Sequence, residues 1–296
     1  MDNIRGSIWM VLAMLGFAIE DTLLKTATIS VPVGQTLMLF GIGGTFGFLL
    51  LTWRRGERAF TPEALKATLY TRAIFEITGR LFFLLSLALN TLSSTSAILQ
   101  ATPITVTLGA AVLFGERVNW QRWLAILIGF IGVLMIIQPS SESFQVTSIL
   151  AIIGMIGFAG RDLATRAAPP ALSNMQLGVY GFAVLIPTGA AYSFWSGGFV
   201  WPDLFSGLVI AAGTLVGIGA YYSLTVAMRT GLVSVVTPFR YSRLLFGLLL
   251  GFLIFDETAD AMTLAGSAII VLSGLYILAG HSRLKAQASK GLRERA

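Results

Sequence analysis

The chain has 296 residues, 55% of them hydrophobic and 11% charged, with a net charge of +6 and a mean hydropathy of +0.81. Soluble domains carry roughly 25% charged residues, so this composition cannot cover a water-soluble globule. There is no cysteine, and the single histidine, His281, lies beyond the last apolar segment, which excludes thiol chemistry, disulfides and His- or Cys-based sites within the membrane.

Apolar stretches of about 20 residues, long enough to cross roughly 30 Å of hydrocarbon as helix, recur along the chain. They fall at 6–25, 34–53, 71–89, 95–114, 121–138, 148–167, 176–196, 204–226, 232–255 and 262–280. They predict an all-α polytopic membrane protein of ten transmembrane helices. With the N-terminus cytoplasmic, the inner segments hold 15 of the 20 basic residues, from Arg5 to the tail with Arg283 and Arg295. The outer side keeps Lys25 alone, while Glu142, Asp203, Asp256, Glu257 and Asp260 fall in outer loops. Both termini are therefore expected in the cytoplasm. The excess positive charge belongs against an anionic leaflet rather than nucleic acid. Trp53, Trp120, Trp123, Trp195 and Trp201 fall at span ends, as interfacial anchors do.

The first span has a second copy. Ser7, Ile8, Met14, Gly16, Phe17, Ala18, Asp21 and Ala27 meet identical residues at Ser148, Ile149, Met155, Gly157, Phe158, Ala159, Asp162 and Ala168, a constant offset of 141. The same offset carries Lys25 onto Arg166 and Glu116 onto Glu257. Each unit holds an odd number of spans, five, so the second inserts upside down relative to the first. Inverted repeats with a midplane site between the halves characterise secondary transporters. The units are 1–141 and 142–281, followed by a basic cytoplasmic tail at 282–296.

Glu116 before an apolar helix ending in Gly132-Val133, with a second copy from Glu257 to Gly274, resembles the end of an EamA-type repeat. The whole chain resembles the drug/metabolite transporter superfamily. WQRW at 120–123, GFIGV at 129–133, PFRY at 238–241 and FDE at 255–257 are similar to the bacterial branch that moves S-adenosylmethionine or riboflavin. The resemblance implies secondary transport of a small organic metabolite through a bacterial inner membrane.

Ionisable groups within spans are costly and mark function by default. Span 1 carries Glu20 and Asp21, span 3 carries Glu76 and Arg80, span 6 carries Arg161 and Asp162, and span 9 carries Arg240 and Arg243. Four acids thus face four arginines. Glu76 and Arg80 have the i,i+4 spacing of a helical ion pair, with Arg72 on the same face at the cytoplasmic mouth. Arg240 and Arg243 share a face, and an anionic group must join them: a substrate carboxylate or phosphate, or Asp162 or Glu76. Glu116 and Glu257 suit a cap on the next helix; Lys25 and Arg166 suit snorkelling to the interface.

Thr102-Pro103 and Thr237-Pro238 interrupt the backbone ladder, and a kink at Pro238 would present Phe239, Arg240 and Tyr241 to a cavity. Gln100 occupies the repeat position of Tyr241. Phe17 and Phe158 are repeat equivalents suited to a ring or cation, as are Tyr180, Tyr221 and Tyr222. The candidate substrate-binding residues are Arg240, Arg243, Tyr241, Arg80, Glu76, Gln100, Phe17 and Phe158, with Asp21, Asp162 and Glu20 for proton or ion coupling. Gly43/Gly47, Gly213/Gly217 and Gly247/Gly251 form GxxxG pairs for close helix packing.

The expected function is secondary transport by alternating access. The substrate is anionic or zwitterionic, amino-acid-like or S-adenosylmethionine-like, with riboflavin or another aromatic metabolite as the alternative. An intramembrane lipid-modifying enzyme would want a His, a paired acidic motif or a nucleophile with its base, and a channel would want rings of like charge. The reading is therefore a non-enzyme without cofactor or metal, whose partners are a small solute, the bilayer, and a coupling proton or exchanged solute.

Overall fold

The computed structural model describes residues 2–90, 95, 98–137, 147–255, 261–262, 264–273 and 275–276. Among them every regular element is helical. The order is α1 (Asp2–Ala27), α2 (Val33–Arg54), a 3-10 turn (Pro62–Leu65), α3 (Ala67–Leu89), α4 (Thr102–Phe114) and α5 (Trp120–Ile137). It continues with α6 (Ser148–Ala167), α7 (Asn174–Ala183), α8 (Leu185–Ser196), α9 (Leu204–Thr230), α10 (Val233–Val236), a 3-10 segment (Thr237–Tyr241) and α11 (Ser242–Phe255). A further apolar helix, α12, runs Leu264–Ser273. Glu257, Glu142, Asp256, Asp260, Gly274, His281 and the basic tail lie outside the described residues.

Among the described residues, four helices are long and apolar enough to cross a membrane: Asp2–Ala27, Val33–Arg54, Asn174–Ser196 and Leu204–Thr230. The α3 and α6 helices, of 23 and 20 residues, match them in length. They carry Arg72, Glu76 and Arg80, and Arg161, Asp162 and Arg166, which lower their hydropathy. The exposure pattern is inside out. Phe46, Val112, Phe194 and Leu215 lie 69–92% exposed, whereas Glu20 and Glu76 are 0% exposed. Large exposed apolar surface around a polar interior suits hydrocarbon as solvent.

Prolines set the breaks. Pro238 stands in the 3-10 segment that divides the expected span 232–255, and Pro103 opens α4 after a turn at 100–101, so helix is continuous only from Thr102. A third break was not anticipated. Pro187 offers no N–H to the Ala183 carbonyl, and the span 174–196 divides at Val184 into α7 and α8.

The main helix pairs are α1 with α9, α3 with α6, and α2 with α7 and α8. Their contacts repeat at the offset of 141. Gly16 packs on Ala220, and Gly157 on Gly79. Lys25 Nζ donates to the Leu87 carbonyl at 2.9 Å, and Arg166 Nη1 to the Met228 carbonyl at 3.4 Å. These two cations therefore bind carbonyls near the ends of α3 and α9 instead of simply snorkelling. The GxxxG glycines at 43 and 47 meet Thr214 and Ile218 across the α2–α9 contact, but Gly247 meets no described residue within 4 Å of its Cβ position.

A Cβ on Gly157 would lie 2.3 Å from the Gly79 nitrogen and 2.6 Å from its Cα, where backbone cannot give way locally. We expect Gly157→Ala to cost about 1–3 kcal/mol. Gly219 has nothing within 4 Å of its Cβ position, so Gly219→Ala should gain about 0.5–1 kcal/mol. Thermal denaturation of the two purified variants checks the contrast, and equal effects would sink it.

Glu116 does cap a helix, but not the next one. Its two oxygens accept from the Val233 and Ser234 amides, each at 3.0 Å, at the start of α10. Asp203 caps α9 through the Ser206 amide at 3.1 Å, and its bonds to Ser206 hold its carboxyl below the usual range.

Candidate functional site

All eight ionisable residues placed inside spans by the sequence converge in the interior. Glu20 and Asp21 come from α1, Glu76 and Arg80 from α3, and Arg161 and Asp162 from α6. Arg240 and Arg243 flank the junction of the 3-10 segment with α11. Pro238 makes this possible: the broken helix lets one guanidinium turn toward α6 and the other toward α1.

The expected helix-local ion pair of Glu76 with Arg80 is present but long, and the closer partners come from other helices. Arg80 Nη1 donates to Glu20 Oε1, while its Nε lies 3.8 Å from Glu76 Oε1, beyond hydrogen-bond length. Arg161 donates to Glu76 Oε1 from Nη1 at 3.3 Å, and reaches Asp162 Oδ1 from Nε at 3.0 Å and Nη2 at 2.9 Å. Arg240 Nη1 donates to Asp162 Oδ2. Arg243 holds Asp21 Oδ2 from Nε at 2.9 Å and also from Nη2. The two neighbouring arginines thus engage the two repeat-equivalent aspartates, one each, and need no shared anion. Glu20 and Arg161, which flank the repeated aspartates, are full members of the network.

A fifth arginine joins. Arg72, assigned from sequence to the cytoplasmic mouth, is 1% exposed. Its Nε donates to Thr165 Oγ1 at 3.0 Å and its Nη2 to the Tyr221 hydroxyl at 2.6 Å. Tyr221 in turn donates to Glu76 Oε2. Among the described residues the interior cluster therefore sets Arg72, Arg80, Arg161, Arg240 and Arg243 against Glu20, Asp21, Glu76 and Asp162. It carries one positive charge in excess.

Aromatic rings enclose it. The Arg80 guanidinium carbon lies 5.6 Å from the Phe17 ring centroid, 5.1 Å from Phe40 and 5.8 Å from Phe158. Arg161 lies 4.8 Å from Phe158, and Arg243 lies 5.3 Å from Phe17 and 5.4 Å from Phe83. Ring faces offer a buried cation partial compensation where water is absent. Phe17 and Phe158 do meet cations, as equivalent members of the repeat. Phe40 and Phe83 are additions, and nothing in their spacing distinguishes them from other buried phenylalanines.

Two candidates stand apart. The Tyr241 hydroxyl donates to the Ile126 carbonyl at 3.2 Å and ties the 3-10 segment to α5. Gln100 is buried in the turn before α4. Tyr180 pins the 59–61 segment through the Ala59 carbonyl at 2.8 Å, and Tyr222 stacks edge-on against Trp9.

Within the cluster, Glu20 Oε2 and Arg80 Nε and Nη2 are buried without a hydrogen-bond partner among the described residues. Arg80 also lines a small cavity with Asp21, Leu24, Leu37, Phe40, Phe83, Leu84 and Leu87, with space for about one water. A wider apolar cleft between α5 and α12, lined by Trp120, Leu124, Ile128, Leu272 and Tyr276, includes no charged residue. Among the described residues no group of three His, Asp or Glu side chains is arranged to hold a metal ion.

Residues 4–138 match the EamA-like transporter family. Along nearly its whole length the chain is similar to a riboflavin transporter of Rhizobium johnstonii, 25% identical over 94% of this chain and 92% of that one. A pseudopaline exporter of Pseudomonas aeruginosa is 26% identical over 90% of this chain and 94% of its own. An S-adenosylmethionine uptake transporter of Rickettsia prowazekii is 22% identical over 97% and 96% respectively. One protein of known crystal structure shares the fold, with a TM-score of 0.76 over 94% of this chain and 98% of its own at 18% identity.

Proposed function

We propose, on the premise that residues 4–138 belong to the EamA-like transporter family, that this membrane protein is a secondary transporter of a small anionic or zwitterionic metabolite. Transport is the activity named for its full-length relatives, among which the solute differs: riboflavin, S-adenosylmethionine and pseudopaline. The observation that carries the reading is the buried ionic cluster. Five arginines and four acids inside one apolar bundle are a standing electrostatic cost, and a net positive interior gives an anionic group a reason to enter.

Ten spans in two inverted units, 1–141 and 142–281, with both termini cytoplasmic in a bacterial inner membrane, frame the mechanism. The recurrence of contacts at the offset of 141 supports this frame. One unit rocks against the other, so the pairs that join them, Arg243 with Asp21 and Arg161 with Glu76, part and re-form as access alternates. Asp21, Asp162 and Glu20 are the coupling carboxylates of this scheme. Nothing in it requires catalysis, a metal or a cofactor.

The test is counterflow in proteoliposomes loaded with riboflavin, S-adenosylmethionine or an amino acid. Accumulation of one labelled solute above protein-free vesicles supports transport and names its class. Riboflavin alone would favour the aromatic alternative and remove the charge argument. No movement of any loaded solute would count against the reading.

A further inference from the structure

We infer that the Arg80 side chain, rather than the Arg240/Arg243 pair, is the receptor for the substrate's carboxylate, and that the adjoining acids of α1, Glu20 and Asp21, take its ammonium group. The inference rests on the transporter reading and deepens it to a site and a ligand class: a small zwitterion with an apolar side chain.

The argument is one of unused bonds. An arginine presents two N–H groups in parallel along its Nε–Nη2 edge, the geometry that grips a carboxylate. Arg243 spends that edge on Asp21, and Arg161 spends it on Asp162. In Arg80 the same two nitrogens are buried and, among the described residues, make no hydrogen bond, with Nε only in a long 3.8 Å ion pair to Glu76, although the side chain is anchored through Nη1 on Glu20. Leaving buried donors unmet costs about 1–3 kcal/mol for each group, and a sequence rich in Ser and Thr has simple ways to avoid that. The cluster's excess positive charge points the same way. On the acidic side, Asp21 lines the cavity, and its neighbour Glu20, which holds Arg80, leaves Oε2 without a hydrogen bond among the described residues.

The offset of 141 explains why the vacancy is on one side only. It places Arg161 at the Glu20 position, Tyr221 at the Arg80 position and Gly217 at the Glu76 position. Arg161 therefore finds Glu76, whereas Glu20 faces Gly217. One half of the pseudo-symmetric core is saturated; the other retains a donor edge and an acceptor. The remaining lining, Leu24, Leu37, Phe40, Phe83, Leu84 and Leu87, is apolar and suits an aliphatic or aromatic side chain. The cavity is closed around Arg80 in this structure, so occupancy requires α1 and α3 to part.

The experiment measures equilibrium binding to the full chain in lipid nanodiscs. The probes are L-leucine and L-phenylalanine, their methyl esters, and the matching acids without the amino group. In the wild type each deleted group should weaken binding by about 10- to 100-fold. In Arg80→Gln the discrimination between acid and ester should collapse toward parity, and in Glu20→Gln so should that between amino acid and des-amino acid. Arg80→Lys, which keeps the charge but not the fork, should give an intermediate preference and covers the case in which the glutamine variant does not fold. A folded Arg80 variant with undiminished preference for the acid would overturn the inference. So would absence of binding by all probes while proteoliposomes still move riboflavin or S-adenosylmethionine, which leaves the transporter reading standing. Absence of both would remove the two together.

Discussion

Arg243→Met should lower the stability of the folded protein by about 3–5 kcal/mol, the cost of leaving a buried charge without its partner. Asp21 is 4% exposed and, among the described residues, its ion pair is with Arg243 alone. Adding Asp21→Leu removes the stranded carboxylate, and the double variant should recover most of the loss, because a well-packed apolar pair replaces a buried ion pair at little net cost. Arg240→Met makes the contrast. Its partner Asp162 keeps two bonds from Arg161, so the single substitution should cost clearly less. Burial alone predicts the opposite order, since Arg240 and Asp162 are the better buried pair, at 5% and 1% side-chain exposure against 10% and 6%. Denaturation of the three variants in detergent decides between partner count and burial. Equal losses for the two arginines would defeat the argument.

The ionic cluster was legible because an ionisable residue in an apolar span announces itself. No comparable signal says which helix it faces. Spacing along one helix identifies Glu76 with Arg80, which do form an ion pair at 3.8 Å, but it does not reveal their closer partners from other helices, Glu20 for Arg80 and Arg161 and Tyr221 for Glu76. Arg72 was misplaced for a related reason. It sits in the second turn of α3, where a sequence reading expects interface, but α6 and α9 cover it with Thr165 and Tyr221. Phe40 and Phe83 are two of many phenylalanines, and only packing selects them. The repeat, by contrast, carried information across helices: the offset that matched Lys25 to Arg166 by identity also matches their carbonyl acceptors, Leu87 to Met228. Proline was read well at 103 and 238, where Thr precedes it deep in a span. It was missed at 187, where the loss of one carbonyl's partner breaks the helix three residues upstream.

The second large effect concerns Glu76. It is 0% exposed, accepts from Arg161 and Tyr221, and lies 3.8 Å from Arg80. Removing it leaves three acids against five arginines in the cluster, and arginine cannot shed its proton to relieve the imbalance. Glu76→Ala should therefore lose about 3–5 kcal/mol, with the Tyr221 hydroxyl also stripped of its acceptor. The substitution vacates the volume of a small carboxylate between two guanidinium groups, so acetate should bind there and restore stability by mass action. The expected signature is a melting temperature that rises with acetate in Glu76→Ala more steeply than in the wild type, and more steeply than with chloride at equal ionic strength. Chloride supplies the charge but not two oxygens to span Arg161 and Tyr221. Glu76→Gln keeps an acceptor for Tyr221 and fills the space, so it should be less destabilised than the alanine variant and show little response to acetate. Parallel acetate slopes in wild type and Glu76→Ala would mean that Glu76 is not the electrostatic keystone of the cluster, and that its partners compensate one another without it.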